Sequence, residues 1–241
     1  MKLRATGWVL VAASLAVFWA IALVARHELL TPLSGAGPSR VLIFVAYLLI
    51  TVVSLRALIV GRHLTEQQVG LRGAAVSLRP AIIYVTVVSA AIVAWLWGWV
   101  WWGSSLGPEQ REFATDVMQQ FAQLRLANGI GSSPASIWAA VVVFGAVGAF
   151  AEEVIYRSIL QTAIASRFGN RIAVVCSTAV FVVAHVWIYG YSYGGWPMEP
   201  ILLGGLLGLL FARHRSLLVV TAVHLTWNMT ITVTAALLAR G

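Results

Sequence analysis

The chain has 241 residues, 60% of them hydrophobic and only 10% charged, with a mean hydropathy of +0.88. Soluble domains carry roughly a quarter charged residues, so this composition excludes one and points to lipid as the surrounding solvent. The net charge of +8 does not mark a nucleic-acid binder, because the basic residues are scattered between apolar runs, and the single cysteine, Cys176, excludes an intrachain disulfide framework.

A bilayer core of about 30 Å takes about 20 helical residues to cross. Apolar runs of that order fall at 7–25, 41–60, 81–102, 136–156, 172–190 and 217–239, with a shorter one near 200–212. They predict an all-α polytopic membrane protein, a bundle of about seven transmembrane helices. The first run follows Lys2 and Arg4 but exceeds the apolar stretch of about 7–15 residues in a cleaved signal, so it reads as an uncleaved anchor. The third ends in Trp95-Leu96-Trp97-Gly98-Trp99-Val100-Trp101-Trp102, which suits an interfacial aromatic belt. Residues 103–134 are a polar insert. After Pro108, Phe113, Val117, Phe121 and Leu124 recur at helical spacing until Asn128-Gly129, predicting an amphipathic helix on the outer membrane face. Gly194-Gly195-Trp196-Pro197 marks a second outer turn. The organisation expected is thus 1–134, N-terminal membrane helices with the insert, and 135–241, a helical core.

Lys and Arg concentrate in cytoplasmic loops. With the N-terminus inside, the inner segments hold Lys2, Arg4, Arg62, Arg72, Arg79, Arg167, Arg171, Arg213 and Arg215, against Arg26, Arg40, Arg111, Arg125 and Arg240 outside. This imbalance predicts a multi-pass protein of the cell (inner) membrane with a cytoplasmic N-terminus.

Two hydrolase signatures fail. His27-Glu28-Leu29-Leu30-Thr31 begins like H-E-x-x-H but lacks the second histidine. Gly103-Ser104-Ser105-Leu106-Gly107 fits G-x-S-x-G, yet it follows a tryptophan belt instead of opening a strand-turn-helix elbow. His63 and His214 read as solvated loop groups, His27 as a membrane-edge group and Cys176 as an inert core thiol.

Ionisable groups at membrane depth cost from about 2.5 kcal/mol upward, so they mark function or a paired structural site. The last spans hold Glu152, Glu153 and Arg157, then His185, then His224 and Asn228. Glu153/Arg157, Phe181/His185 and His224/Asn228 are each four apart, so each pair shares a helix face. At 1.5 Å per residue, Glu152 lies ~22 Å from Arg167, His185 ~21 Å from Arg171 and His224 ~14 Å from Arg215, comparable depths from the inferred cytoplasmic ends. Gly145, Gly148, Gly204, Gly205 and Gly208 offer close helix approach. Two histidines and a glutamate, His185, His224 and Glu152, also suffice in number as a catalytic Zn²⁺ ligand set with one position left for water, so a metal here stays open.

The motifs Glu-Glu-x-x-x-Arg at 152–157, Phe-x-x-x-His at 181–185 and His-x-x-x-Asn at 224–228 resemble, in order and spacing, those of the CPBP family, the CAAX-protease and bacteriocin-processing (Abi) group of intramembrane endopeptidases. The likeness covers roughly 136–235. It implies that Glu152 activates water, that His185 helps hold that water, and that His224 and Asn228 bind the developing oxyanion, with Glu153 and Arg157 as a paired structural half. It further implies membrane lipids as surroundings, a membrane-associated peptide or protein as substrate, and no nucleic acid. Two rivals differ in kind: a transporter or channel with an intramembrane Glu-His proton path, and a non-catalytic immunity or scaffold protein. No second copy of the motifs occurs in 1–130, as a repeat-built transporter would lead one to expect.

Overall fold

The computed structural model describes residues 3–30, 37–71, 145–189 and 198–238, together with 82–88, 90, 91, 94 and 98. Among the described residues every regular element is helical. Helix α1 (Ala5–Leu30) packs against α2 (Gly37–Val60), and α1 also reaches the C-terminal half. There α3 (Gly148–Glu153) continues through a π-helical stretch (Val154–Gln161) into α4 (Thr162–Phe168). Both junctions keep helical dihedrals, so this is one rod wound more loosely in its middle. Gly169, at φ +85°, ends it in a conformation that suits glycine, and α5 (Asn170–Tyr189) begins at once. Helices α6 (Met198–His214) and α7 (Leu217–Leu238) are joined by Arg215 and Ser216.

Among the described residues, two stretches are long and apolar enough to cross a bilayer, Ala5–Leu23 and Asn170–Trp187, and Val45–Val60, Pro200–His214 and Leu217–Thr230 are shorter apolar helices. Of the seven spans expected, those at 81–102 and 136–156 fall partly outside the described residues, and the amphipathic insert 103–134 and Ser105 fall wholly outside them.

Burial follows the logic of a lipid solvent. Val9, Ile82, Val175, Leu209 and Leu218 are each at least 60% exposed, while Glu153, Arg157, Ser158, Gln161, Thr162, Ser177 and His224 are buried. Polar groups turn inward because the bilayer offers them no partner. They are embedded in an apolar core that includes Phe18, Leu58, Tyr156, Phe181, Leu207, Phe211 and Val223.

Close approach of α6 to α5 and the π-stretch depends on two glycines one turn apart. A Cβ on Gly204 would stand 3.0 Å from Phe181 Cδ1, and one on Gly208 would stand 3.2 Å from Val174 Cγ1. Gly145 similarly faces Leu225 at 3.3 Å. Gly148 and Gly205, also expected at close contacts, meet nothing within 4 Å. Both are half-buried, and among the described residues no atom comes close enough to meet a Cβ there, which spacing alone does not reveal.

Residues 61–71, which sequence gives only as part of a loop, form a tied strap. Thr65 and Gln68 bond reciprocally, Thr65 N–H to Gln68 Oε1 at 2.9 Å and Gln68 N–H to Thr65 Oγ1 at 3.2 Å, the capping-box pattern. Leu64 and Val69 are buried. The Val69 carbonyl accepts from the Ser158 hydroxyl at 2.7 Å, the Gln68 carbonyl from Thr162 Oγ1 at 3.2 Å, and the Gly70 carbonyl from Leu217 N–H at 3.1 Å. The strap therefore locks the π-stretch to the start of α7. His214 is not the solvated group expected: it is half-buried, with Nε2 3.2 Å from the Tyr84 hydroxyl. His63 is half-buried as well, and Cys176 is half-exposed rather than a core thiol.

Candidate active site

Consecutive helical residues point about 100° apart, so neighbouring glutamates at the end of α3 meet different surroundings. The Glu152 side chain is 24% exposed and that of Glu153 is fully buried. Glu152 Oε2 lies 3.7 Å from His185 Nε2, on α5, and 3.8 Å from His224 Nε2, on α7. Three elements far apart in sequence thus bring one carboxylate and two imidazoles together. Phe181, one turn before His185, is fully buried and stacks on the His185 ring at 4.0 Å between centroids. Tyr156 meets the Phe181 ring edge-on at 5.2 Å. Asn228 is half-buried one turn beyond His224.

The outer nitrogens of both imidazoles are committed. His185 Nδ1 is 2.9 Å from the Phe181 carbonyl oxygen, and His224 Nδ1 is 2.8 Å from Glu153 Oε1. A carbonyl and a carboxylate oxygen can only accept, so each Nδ1 carries the proton. In the neutral rings each Nε2 then presents a lone pair. Two such lone pairs face the Glu152 carboxylate oxygen, which is itself buried without a hydrogen-bond partner. Acceptors confronting one another at 3.7–3.8 Å call for a donor between them. A water molecule supplies two protons, enough for the Glu152 oxygen and one of the imidazoles.

Zn²⁺ would also satisfy lone pairs of this kind. However, tetrahedral ligands at about 2.0–2.1 Å from Zn²⁺ stand about 3.3 Å apart, closer than these atoms do. Among the described residues no group of three His, Cys, Asp or Glu side chains is disposed to hold a metal ion. The side-chain types suit the ion and their spacing here does not, so no chemical step is derived through a metal.

Glu153 also pairs with Arg157, whose Nε donates to Oε2 at 3.3 Å. This is the i,i+4 pair expected from sequence. Its link onward to His224 was not legible, because nothing in a sequence tells which helix faces a buried carboxylate. A carboxylate on the far side of an imidazole fixes the ring's tautomer and stabilises its protonated form, as in hydrolytic triads. Glu153 is thereby more than half of an ion pair.

Residues 134–230 match the family described as type II CAAX prenyl endopeptidase Rce1-like. No curated protein and no solved structure matches the chain. The matched segment contains the whole cluster of Glu152, Glu153, Arg157, His185 and His224, and with the three motifs it identifies residues 134–230 as an Rce1-like domain of the CAAX-protease family.

Proposed function

We propose that this membrane protein is an intramembrane endopeptidase that hydrolyses peptide bonds of membrane-associated peptides or proteins by glutamate-activated water. One observation carries the reading: an unpartnered Glu152 oxygen confronted by two imidazole lone pairs. Water held there gives one proton to Glu152 as its oxygen attacks the scissile carbonyl carbon. His185 keeps the water oriented. The oxyanion takes hydrogen bonds from the Asn228 amide and from His224, whose Nε2 takes up a proton from solvent as substrate binds and returns it on product release, with Glu153 holding the ring on its far nitrogen. The carbon–nitrogen bond then breaks as Glu152 passes its proton to the leaving amine, giving a free carboxylic acid and an amine.

The family's printed activity, on prenylated CAAX chains, supports substrates tethered to the membrane by lipid or by their own apolar segments. The loop charges support a cytoplasmic N-terminus in the cell (inner) membrane. Domain limits of 1–134 and 135–241 fit a reading in which the N-terminal helices shield and orient the catalytic core.

The test is purified protein incubated with a peptide library, cleavage sites read by mass spectrometry, with and without a chelator. Glu152→Gln, His185→Ala, His224→Ala and Asn228→Ala should each lower cleavage at least about tenfold, a barrier change of about 1.4 kcal/mol, in protein that still inserts and folds. Cleavage should survive chelation. Loss on chelation with recovery on Zn²⁺ would assign Glu152, His185 and His224 as metal ligands instead. Glu152-dependent proton flux through vesicles without any cleavage would favour the transporter reading.

A further inference from the structure

Behind the Glu153–His224 pair runs a chain of buried polar groups that the proposed reaction leaves unused. Arg157 Nη1 donates to the Ser177 hydroxyl at 3.2 Å, that hydroxyl is 3.1 Å from Gln161 Oε1, and Gln161 Nε2 donates to the Gly208 carbonyl at 2.8 Å. Arg157 and Ser177 are fully buried and Gln161 is 1% exposed. The donor and acceptor of the two end bonds are fixed. A guanidinium only donates, so Ser177 accepts from Arg157 and keeps its own proton for Gln161 Oε1 or for the Val174 carbonyl at 3.2 Å. A carbonyl only accepts, so the Gln161 nitrogen faces Gly208 and its oxygen faces Ser177. The chain is anchored at one end on the backbone of α6 and ends at the other on the carboxylate that orients His224.

We propose that Ser177 and Gln161 are positioning residues for the reaction: through Arg157 they hold Glu153 on His224 Nδ1, and so keep His224 Nε2 turned toward Glu152. The inference rests on the reading of Glu152 as the base. Arg157 is held short of its preferred partner. Its 3.3 Å contact with Glu153 is long for a charge-assisted bond, which usually measures about 2.7–2.9 Å, and its Nη2 has no hydrogen-bond partner. Ser177 draws the guanidinium away from the bidentate grip it would otherwise take on Glu153. Freed of Ser177, Arg157 turns two N–H groups onto the carboxylate and pulls it from the imidazole. The same shift reaches the second histidine, because the guanidinium lies over the Phe181 ring at 5.3 Å and that ring stacks on His185.

The test compares Ser177→Ala and Gln161→Met with Ser158→Ala, the last being a buried hydroxyl on the same π-stretch that bonds to Val69 and not to Arg157. Two readouts are taken on purified protein. The first is kcat and KM on a peptide that the wild type cleaves and Glu152→Gln does not. The second is NMR of isotope-labelled histidines, with His224 identified through His224→Gln. Ser177→Ala and Gln161→Met should each lower kcat at least about fivefold with KM changed less than about twofold. Their double mutant should be no slower than the worse single, and His224 should pass from one Nδ1–H tautomer to a mixture. Ser158→Ala should lower thermal stability and leave kcat and the His224 signals unchanged. Wild-type kcat and a wild-type His224 spectrum in both Ser177→Ala and Gln161→Met would overturn the proposal, as would an equal loss of kcat in Ser158→Ala. If Ser177→Ala does not fold, Gln161→Met carries the same comparison from the other end of the chain. The histidine spectrum needs no turnover, so an inactive wild type would count against the protease reading alone, and the positioning claim would be decided by the tautomer.

Discussion

Removing one member of the Glu153–Arg157 pair should destabilise the fold unequally, and the inequality follows from their other partners. Both side chains are fully buried and their closest atoms are 3.3 Å apart. At an effective dielectric of 20, opposite charges at about 4 Å attract by about 4 kcal/mol, and breaking a buried pair usually costs about 3–5 kcal/mol. Glu153→Gln leaves a full positive charge on Arg157 with only neutral acceptors, the new amide oxygen and the Ser177 hydroxyl, among those described, so about 4–5 kcal/mol is expected. Arg157→Met leaves a carboxylate still hydrogen-bonded to His224 Nδ1 at 2.8 Å, which compensates it in part, so the loss should be nearer about 2–3 kcal/mol. The double mutant strands no charge between these two sites and should fall short of the wild type by only about 1–2 kcal/mol, a strong departure from additivity. Thermal unfolding in detergent measures this. At about 2–4 °C per kcal/mol for chains of this size, Glu153→Gln should melt roughly 10–15 °C low and Arg157→Met roughly 5–10 °C low. Additivity within about 0.5 kcal/mol would refute the pairing. A larger loss for Arg157→Met than for Glu153→Gln would refute the compensation by His224.

Three further outcomes are expected. Gly204→Ala places a methyl 3.0 Å from Phe181 and should push that ring and the stacked His185, lowering cleavage about tenfold, whereas Gly205→Ala, facing open space, should be neutral or add up to about 1 kcal/mol of stability through helix propensity. Gly70 sits at φ +82°, where its Cβ would meet Leu217 N at 2.8 Å; Gly70→Ala should cost about 2–3 kcal/mol, seen as a lowered melting temperature, and an unchanged melt would show that the strap is not locked there. Thiol labelling of intact cells should reach Gly131→Cys from outside and Gly73→Cys only after permeabilisation; labelling of Gly73→Cys in intact cells would invert the topology.

The all-helical architecture was legible because long apolar runs have few alternatives in a bilayer, and α2, α5, α6 and α7 each begin within a few residues of a predicted run. Glu152, His185 and His224 announced themselves as polar groups where polarity is penalised, and the structure brings these three together. Asn228 follows on the same helix, one turn on. What sequence could not supply was direction. Ser177 and Gln161 look like unremarkable small or amide side chains in helices, and only the packing of three elements shows that they bracket Arg157. Val69 is the converse case: it lies in a charged, turn-rich stretch that reads as solvated, yet the strap buries it beneath Ser158.

The π-helical stretch has a further consequence, for insertions. Its bonds reach five residues back, as from Thr162 N–H to the Arg157 carbonyl, so each turn holds one residue more than an α-turn. Inserting a single residue between 154 and 161, where the winding is already loose and cannot absorb it, would rotate Glu152 and Glu153 by about 100° relative to α4 and the strap beneath it. Both glutamates would survive in the sequence and neither would face its histidine. Conservative exchanges such as Ile155→Val should pass with little effect, while a one-residue insertion should silence the site outright. The chain therefore stores part of its chemistry as a count of residues, and any redesign or alignment of this segment has to preserve the count before it considers the letters.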